Sequence, residues 1–171
     1  MSDFDKKHHH KTDKKDKSKM VSKVENLRTM LRDASAILED TKSVFTISRH
    51  DMPTNTQTAI IALNTILDNN NGSIERKGFG NIQISDRLSS KYITDKSEMV
   101  AILAIPDVIK NGIIIGHVEN HKKRGYSTVT FGAKINIDEK DAHMAVSVKT
   151  TNKNFYTAHR VLLPNGKYLE I

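Results

Sequence analysis

The feature that most constrains the fold is the alternation of apolar and polar residues in the C-terminal part of the chain. A period of two residues is typical of strands with one buried face. The alternating segments are separated by short polar turns, which favours antiparallel pairing of neighbours. The pattern predicts five strands: Ile113–Glu119, Ser127–Asp138, His143–Thr150, Phe155–Leu163 and Lys167–Ile171.

The preceding residues have the spacing of helices instead. Apolar residues recur at steps of three and four over residues 20–45 and again from 54 or 55 to 67, and each set forms one stripe. A short strand is predicted within residues 78–88, and a helix broken near Pro106 follows. We therefore predict an α+β protein, with N-terminal helices followed by a four- to five-stranded antiparallel sheet.

Composition divides the chain further. Residues 1–19 hold seven lysines and four aspartates, so they contribute +3 to the net charge of +7. This tail has too little apolar area to fold and is predicted to be disordered; His8, His9 and His10 could hold a metal ion in passing. Residues 20–72 are interpreted as a helical hairpin that packs on the main domain or presents a partner surface. Residues 73–171 form the main domain.

Bulk properties exclude several classes of protein. The absence of cysteine excludes disulfides, thiolate metal sites and thiol catalysis. No apolar run reaches the ~20 residues that span a bilayer, and no signal-peptide core is present. We expect a cytoplasmic protein without a membrane partner. Because the sequence pI is about 9.5, a polyanion such as nucleic acid is the favoured partner.

The segment "GIIIGHVENHKKRGYSTVTF" combines an apolar strand with a basic turn. His117, His121 and the triplet Lys122, Lys123 and Arg124 follow the isoleucines, either as a solvated loop or as the mouth of an anion site. Gly116 weakens the strand unless a bend or a close approach is needed, which suggests that His117 is being aimed. The later strands place apolar side chains on one face and hydroxyls and lysines on the other, which we expect to be open.

Three stretches carry a resemblance to a known group of domains: "IPDVIKNGIIIGHVENHKKRGYSTVTFGAKINI", "HMAVSVKT" and "NFYTAHRV". Their order resembles the toxin-type domains at the ends of phage and mobile-element polyvalent proteins, which are grouped with the barnase–EndoU–colicin–RelE superfamily of RNases. The resemblance implies that RNA lies across the open face of the sheet. It also implies cleavage by attack of the ribose 2′-OH on phosphate, in the host cytoplasm, without a metal or cofactor.

Such cleavage needs a proton acceptor, a proton donor and cations near one phosphate. The matching segments offer catalytic candidates, which are His117 or His121, Lys149, Tyr156 and His159. Candidates for RNA binding are Lys122, Lys123, Arg124, Thr128, Thr130 and Arg160. Alternation alone leaves open which of these side chains face the open surface, since a bulge would shift the phase.

Two other hypotheses compete with this ribonuclease. The first is a non-catalytic module of the same fold that binds nucleic acid or a protein. The second is an enzyme of another class that acts on nucleotides, for instance by transferring ADP-ribose. Against it, the sequence has no glycine-rich phosphate loop and no paired-glutamate motif. Residues 20–70 could also contact a cognate inhibitor or a delivery partner.

Overall fold

The structure, a computed structural model, describes residues 26–68, 71–88, 93, 95–119 and 126–171. The tail over residues 1–19 and the basic loop residues His121, Lys122, Lys123 and Arg124 lie outside the described residues, so their predictions stay predictions. The elements are, in chain order, α1 (residues 26–39), β1 (Thr46–Ile47), α2 (Thr56–Leu67), β2 (Ser73–Arg76), β3 (Gly80–Gln83), α3 (Lys96–Val100), α4 (Ile105–Asn111), β4 (Ile113–Val118), β5 (Ser127–Ile137), β6 (Lys140–Thr150) and β7 (Asn154–Leu162).

The seven strands form one mixed sheet. Its order is β1-β5-β6-β7-β3-β2, and β4 also pairs with β5, beside β1. The α+β class is confirmed, but the prediction of a purely antiparallel sheet of four to five strands is wrong. β1 runs parallel to β5, and β3 runs parallel to β7. Since β1 and β2 span two and four residues, they are too short for the period of two to reveal them.

The long hairpin of β5 and β6 organises this sheet. Both strands have eleven residues and pair from Ser127↔Thr150 to Ile137↔Lys140. The two-residue turn has φ of 51° at Asp138 and 65° at Glu139, the left-handed geometry that a tight hairpin requires. Four of the five predicted strands are confirmed in position, as β4, β5, β6 and β7. The fifth is not, because residues 167–171 do not form a strand.

One face of the sheet, here called the inner face, packs against α2, α3 and α4. Asn55 caps α2 by accepting from the Thr58 N–H at 2.8 Å, and Asp95 caps α3 in the same way. Pro106 lies in the first turn of α4, where its missing N–H costs no helical hydrogen bond. The main core therefore joins the inner face to these three helices, and includes Leu63, Val100, Ile105, Phe131, Ile135 and Val146.

The opposite face, here called the outer face, is covered over part of its area by α1. Leu27, Leu31, Ala34 and Leu38 of this helix form a second core with residues of the sheet, which are Ala145, Ala158 and Leu162. α1 and α2 thus belong to two different cores, on opposite sides of the sheet, and do not pack against each other as a hairpin. The expectation that the second face is open is wrong over the area that α1 covers.

Gly116 explains how α1 approaches the sheet so closely. Residue 116 pairs with Thr130 beside a bulge in β4, and a Cβ there would clash with the Met30 side chain of α1. At its other end, α1 is held by Glu39, whose carboxylate lies 3.1 Å from His143 Nε2 and 3.4 Å from Lys134 Nζ. The glycine therefore serves the packing of α1.

Among the described helices, none is long and apolar enough to cross a bilayer.

Candidate functional site

A bulge in β7 decides where the predicted catalytic residues point. Ser147 pairs with Ala158 and Val148 pairs with Tyr156, so Thr157 is an extra residue in β7. The bulge shifts the alternation by one residue between Tyr156 and His159. Both side chains consequently lie on the inner face, although an uninterrupted alternation would place residues three positions apart on opposite faces.

His159 is a buried, fully bonded histidine. It is 7% exposed, and its Nε2 donates to the Glu98 backbone carbonyl at 2.8 Å. Because Nε2 carries the proton, Nδ1 is the acceptor, and the Tyr156 hydroxyl donates to it at 2.6 Å. Burial lowers the pKa of His159 to about 4, which stabilises the neutral ring. Neither nitrogen is available to a substrate proton, and burial also raises the pKa of Tyr156.

Arg160 belongs to a second buried group at the edge of β7. Its Nη1 lies 3.2 Å from Glu98 Oε2, and its Nη2 donates to the Tyr168 hydroxyl. Burial raises the pKa of Glu98 to about 7, against the opposing effect of Arg160. Since Arg160 is 9% exposed and paired with a carboxylate, it holds α3 on β7 and is not placed as a surface contact for RNA.

The remaining predicted residues do not assemble around His159. His117 is exposed on β4 and pairs with Val129, while His159 lies three strands away on β7. Three strand spacings of ~4.8 Å put the two positions about 14 Å apart across the sheet, too far for both imidazoles to reach one phosphodiester. Thr128 and Thr130 face the outer side but are buried, and Lys149 also faces outward. His117, His159 and Lys149 therefore do not form one catalytic site.

The outer face instead presents a transverse row of side chains beyond the area that α1 covers. The strand registers align one residue from each of six strands, and we call this set the outer-face row. It consists of Val118, Thr128, Lys149, Phe155, Gln83 and Ser73. The central side chains, Lys149, Phe155 and Gln83, are partly exposed, whereas Thr128 and Ser73 are buried.

Two cation–aromatic pairs lie in or beside the centre of this row. The Lys149 ammonium is 4.4 Å from the centroid of the Tyr126 ring. The Arg87 guanidinium is 4.0 Å from the centroid of the Phe155 ring, and Arg87 itself is exposed. Such pairs hold long basic side chains over ring faces while their charge stays near solvent.

A polar cleft of about 670 Å³ continues the row on its β3 and β2 side. Its described lining consists of five Asn and Gln residues together with Ser73 and Lys153, and none of these residues carries a carboxylate. Glu75, which pairs with Asn81, is the acidic side chain that follows next on the outer face of β2. The row and the cleft together offer rings, cations and amides.

The chemistry that this arrangement supports is binding. None of the described side chains in the row is a histidine or a carboxylate, so the row has no proton donor and acceptor pair for transesterification. Among the described residues, no three His, Asp or Glu side chains come together to hold a metal ion.

Sequence reasoning included Lys149 and Thr128 but missed Phe155, Gln83, Arg87 and Tyr126. Their alignment depends on β3 lying parallel beside β7, a contact between residues more than seventy positions apart. Periodicity carries no signal for such a pairing. The sequence does show aromatic and basic residues in and beside the predicted strands. It does not show which of them come together in the fold.

The fold and the row define an α+β domain with a curled mixed sheet and a polar, cation-bearing outer face. Comparison with family models identifies the chain more closely: residues 50–157 match the large polyvalent protein-associated domain 3. Since this match covers more than half of the chain, the protein belongs to that family. The comparisons with curated proteins and with solved structures each found no match. The predicted association with polyvalent proteins is supported, and the likeness to toxin RNases stays a resemblance.

Proposed function

We propose that the domain binds single-stranded RNA along the outer-face row. The observation that supports this most is the placement of Lys149 and Phe155 as neighbours across β6 and β7, each paired with a partner of the opposite kind. Aromatic rings stack on any base, and cations attract the phosphate backbone. A surface that interleaves the two is typical of single-strand binding.

The surroundings of Phe155 and Lys149 favour the binding of a base beside a phosphate. Phe155 is covered on one side by the Arg87 guanidinium, whose own planar face can stack on a base in turn. Lys149 is held near the row by Tyr126, so its ammonium loses less conformational entropy when it meets a phosphate. The two pairs would therefore offer one stacking platform and one phosphate contact side by side.

The length of the row fits a short stretch of RNA. From Thr128 on β5 to Ser73 on β2 the row crosses five strands, or four spacings of ~4.8 Å, which gives roughly 19 Å. Sheets that bind RNA through surface aromatics stack two or three bases over a comparable width. We expect the domain to contact about that number of nucleotides.

Fluorescence anisotropy with a short, labelled single-stranded RNA tests this function. Phe155→Ala and Lys149→Ala should each raise Kd, by roughly tenfold for the ring because one stacked base is worth about 1–3 kcal/mol. Lys167→Ala removes the same charge from an exposed position after β7 and is the matched control, which should change Kd little. Equal increases in Kd for Lys149→Ala and Lys167→Ala would contradict a binding site at the outer-face row.

Cleavage of the bound RNA by 2′-OH transesterification is a separate proposal, supported by the resemblance to toxin RNases alone. The same binding mixtures, incubated with a chelator and run on a denaturing gel, test it. Intact RNA would leave the domain as a binding module. If the His159→Gln variant still cleaves the RNA, the chemistry belongs to residues other than His159.

A protein partner for residues 20–70, such as an inhibitor or a delivery component, is likewise a proposal. Within this range α2 exposes Ile61 and Ile66, at 58% and 56%. Ile66 also lines a groove of about 520 Å³ with Leu103 and Pro106. Co-purification of one protein with the wild type, lost in Ile66→Lys while RNA binding persists, would support it.

A further inference from the structure

The free edge of β1 lies beside an apolar groove. The groove has a volume of about 520 Å³, and the four consecutive residues 45–48 all line it. Thr46 pairs with Asn136 and so faces the outer side, whereas Ile47 pairs with Ile137 on the inner side. Because residues that face opposite sides both line the groove, it opens at the edge of the sheet. No described strand pairs with this edge of β1.

The backbone of β1 offers one unused pair of hydrogen-bonding groups at this edge. The carbonyls of Phe45 and Ile47 accept from the N–H groups of Asn136 and Asp138, at 2.8 and 2.9 Å. Since successive residues of a strand direct these groups to alternate sides, the N–H and C=O of Thr46 point away from β5. No described backbone group pairs with them, and Thr46 is exposed. An extended segment laid along β1 would complete this pair.

The groove also fits an aliphatic side chain. Ile66 of α2 lines it and is 56% exposed, and Phe45, Leu103 and Pro106 add apolar surface. In the recognition of extended peptides by a sheet edge, the peptide backbone pairs with the edge strand and alternate side chains fill neighbouring pockets. The groove therefore has a place for one aliphatic side chain of a peptide that pairs with β1.

The charge of the lining favours a cation next to that side chain. Asp51 and Asp107 line the groove, and its described lining contains no lysine or arginine, although the whole chain carries a net charge of +7. Burial raises the pKa of Asp107 more than the nearby Lys110 lowers it, so an added cation would stabilise this carboxylate. Arg49, the cation beside β1 in the sequence, is already paired with Asp138.

We infer that this groove binds an extended peptide segment of another protein, with an aliphatic residue next to lysine or arginine, as an added strand on β1. In this mode the peptide backbone pairs with Thr46, the aliphatic side chain packs against Ile66, and the cation lies near Asp51 or Asp107. The inference does not depend on RNA binding along the outer-face row. It rests on the partner proposed for residues 20–70, and names its binding mode and chemistry.

Selection of a random peptide library on the immobilised full-length protein tests this chemistry. The enriched peptides should carry valine, isoleucine or leucine within two positions of lysine or arginine. Their Kd, measured by fluorescence anisotropy, should rise at least about tenfold in Ile66→Ser, because the buried aliphatic contact is lost. Ile61→Ser is the matched control and should leave Kd unchanged, since Ile61 is 58% exposed on the same helix and is not among the residues that line the groove.

Two further measurements test the charge and the strand pairing. The double variant Asp51→Asn, Asp107→Asn should weaken the same peptides, whereas Asp33→Asn, at an exposed position of α1, should not. Methylation of single backbone nitrogens in an enriched peptide should weaken binding at the position that pairs with Thr46, where a hydrogen bond is lost. A peptide that tolerates methylation at every position would overturn the added strand.

Other outcomes would overturn the inference as a whole. These are a selection without enriched sequences, enriched sequences without a cation, and peptides that bind Ile66→Ser as tightly as the wild type. A dimer in analytical ultracentrifugation that Ile66→Ser dissociates would assign the groove to a second copy of the chain instead. Because none of these readouts involves RNA, failure here leaves the proposed RNA binding in place.

Discussion

Lys149 and His159 project from opposite faces of the same sheet. Lys149 pairs with Phe155 on the outer face, and His159 pairs with Val146 on the inner face, behind the bulge at Thr157. A lysine and a histidine separated by a β-sheet cannot act on one phosphate. This relationship turns His159 from a catalytic candidate into a core residue, and leaves Lys149 to act with the row.

His159 should therefore matter for stability. Replacing it with Ala removes two buried hydrogen bonds and opens a cavity, which we expect to lower the free energy of unfolding by about 2–4 kcal/mol. Tyr156→Phe, which removes only the hydroxyl that donates to Nδ1, should cost about 1 kcal/mol. Denaturant unfolding of both variants and of their combination measures this, and a His159→Ala protein as stable as the wild type would contradict the assigned role.

The pH dependence of stability should reveal two opposing groups. His159 has a folded pKa of about 4, below its usual 6.5, so its contribution is present above pH 6.5 and is lost as pH falls toward 4. Glu98 has a folded pKa of about 7, above its usual 4.5, so the folded state holds its proton and loses stability as pH rises through this window.

Two variants can separate the contributions of His159 and Glu98 to the pH dependence of stability. Glu98→Gln keeps the backbone carbonyl that accepts from His159, so its free energy of unfolding should rise from pH 4.5 to 6.5 more steeply than that of the wild type. His159→Gln should show the opposite change, and each full effect is on the order of 3 kcal/mol. Parallel profiles for all three proteins from chemical denaturation would show that neither group titrates differently on folding.

Gly116 gives a test of how α1 packs on the sheet. Gly116→Val should destabilise the fold by about 1–3 kcal/mol, because the new side chain meets Met30. Met30→Ala provides the missing space, so the double variant should recover part of the loss. A double-mutant cycle with no coupling between the two positions would mean that α1 does not lie over Gly116.

The turn between β5 and β6 offers a stabilising change. Glu139 has a φ of 65°, which is unfavourable for a residue with a Cβ. Glu139→Gly should raise the free energy of unfolding by roughly 0.5–1 kcal/mol, whereas Asp138 is better left because it pairs with Arg49 at 2.7 Å. The midpoint of thermal unfolding should rise accordingly, and a lower midpoint would argue against this turn.

Much of the fold follows from local patterns, and the site does not. The period of two residues located β4 to β7, and the stripe of apolar residues located α1 and α2. Those patterns cannot reveal the bulge at Thr157, which moves Tyr156 to the inner face, or the parallel contact of β3 with β7. The placement of Lys149 beside Phe155, Gln83 and Arg87 depends on both, so the candidate site emerged only with the structure.

RNA-induced chemical-shift changes in the amide resonances of the labelled protein test the central claim most directly. Titration with a short oligo(C) should shift the resonances of Lys149, Phe155 and Gln83 and their neighbours, while those of α2 and of the turn at Asp138 stay in place. Shifts that cluster on α2 or at the β5–β6 turn, or no shifts at all, would contradict RNA binding along the outer-face row.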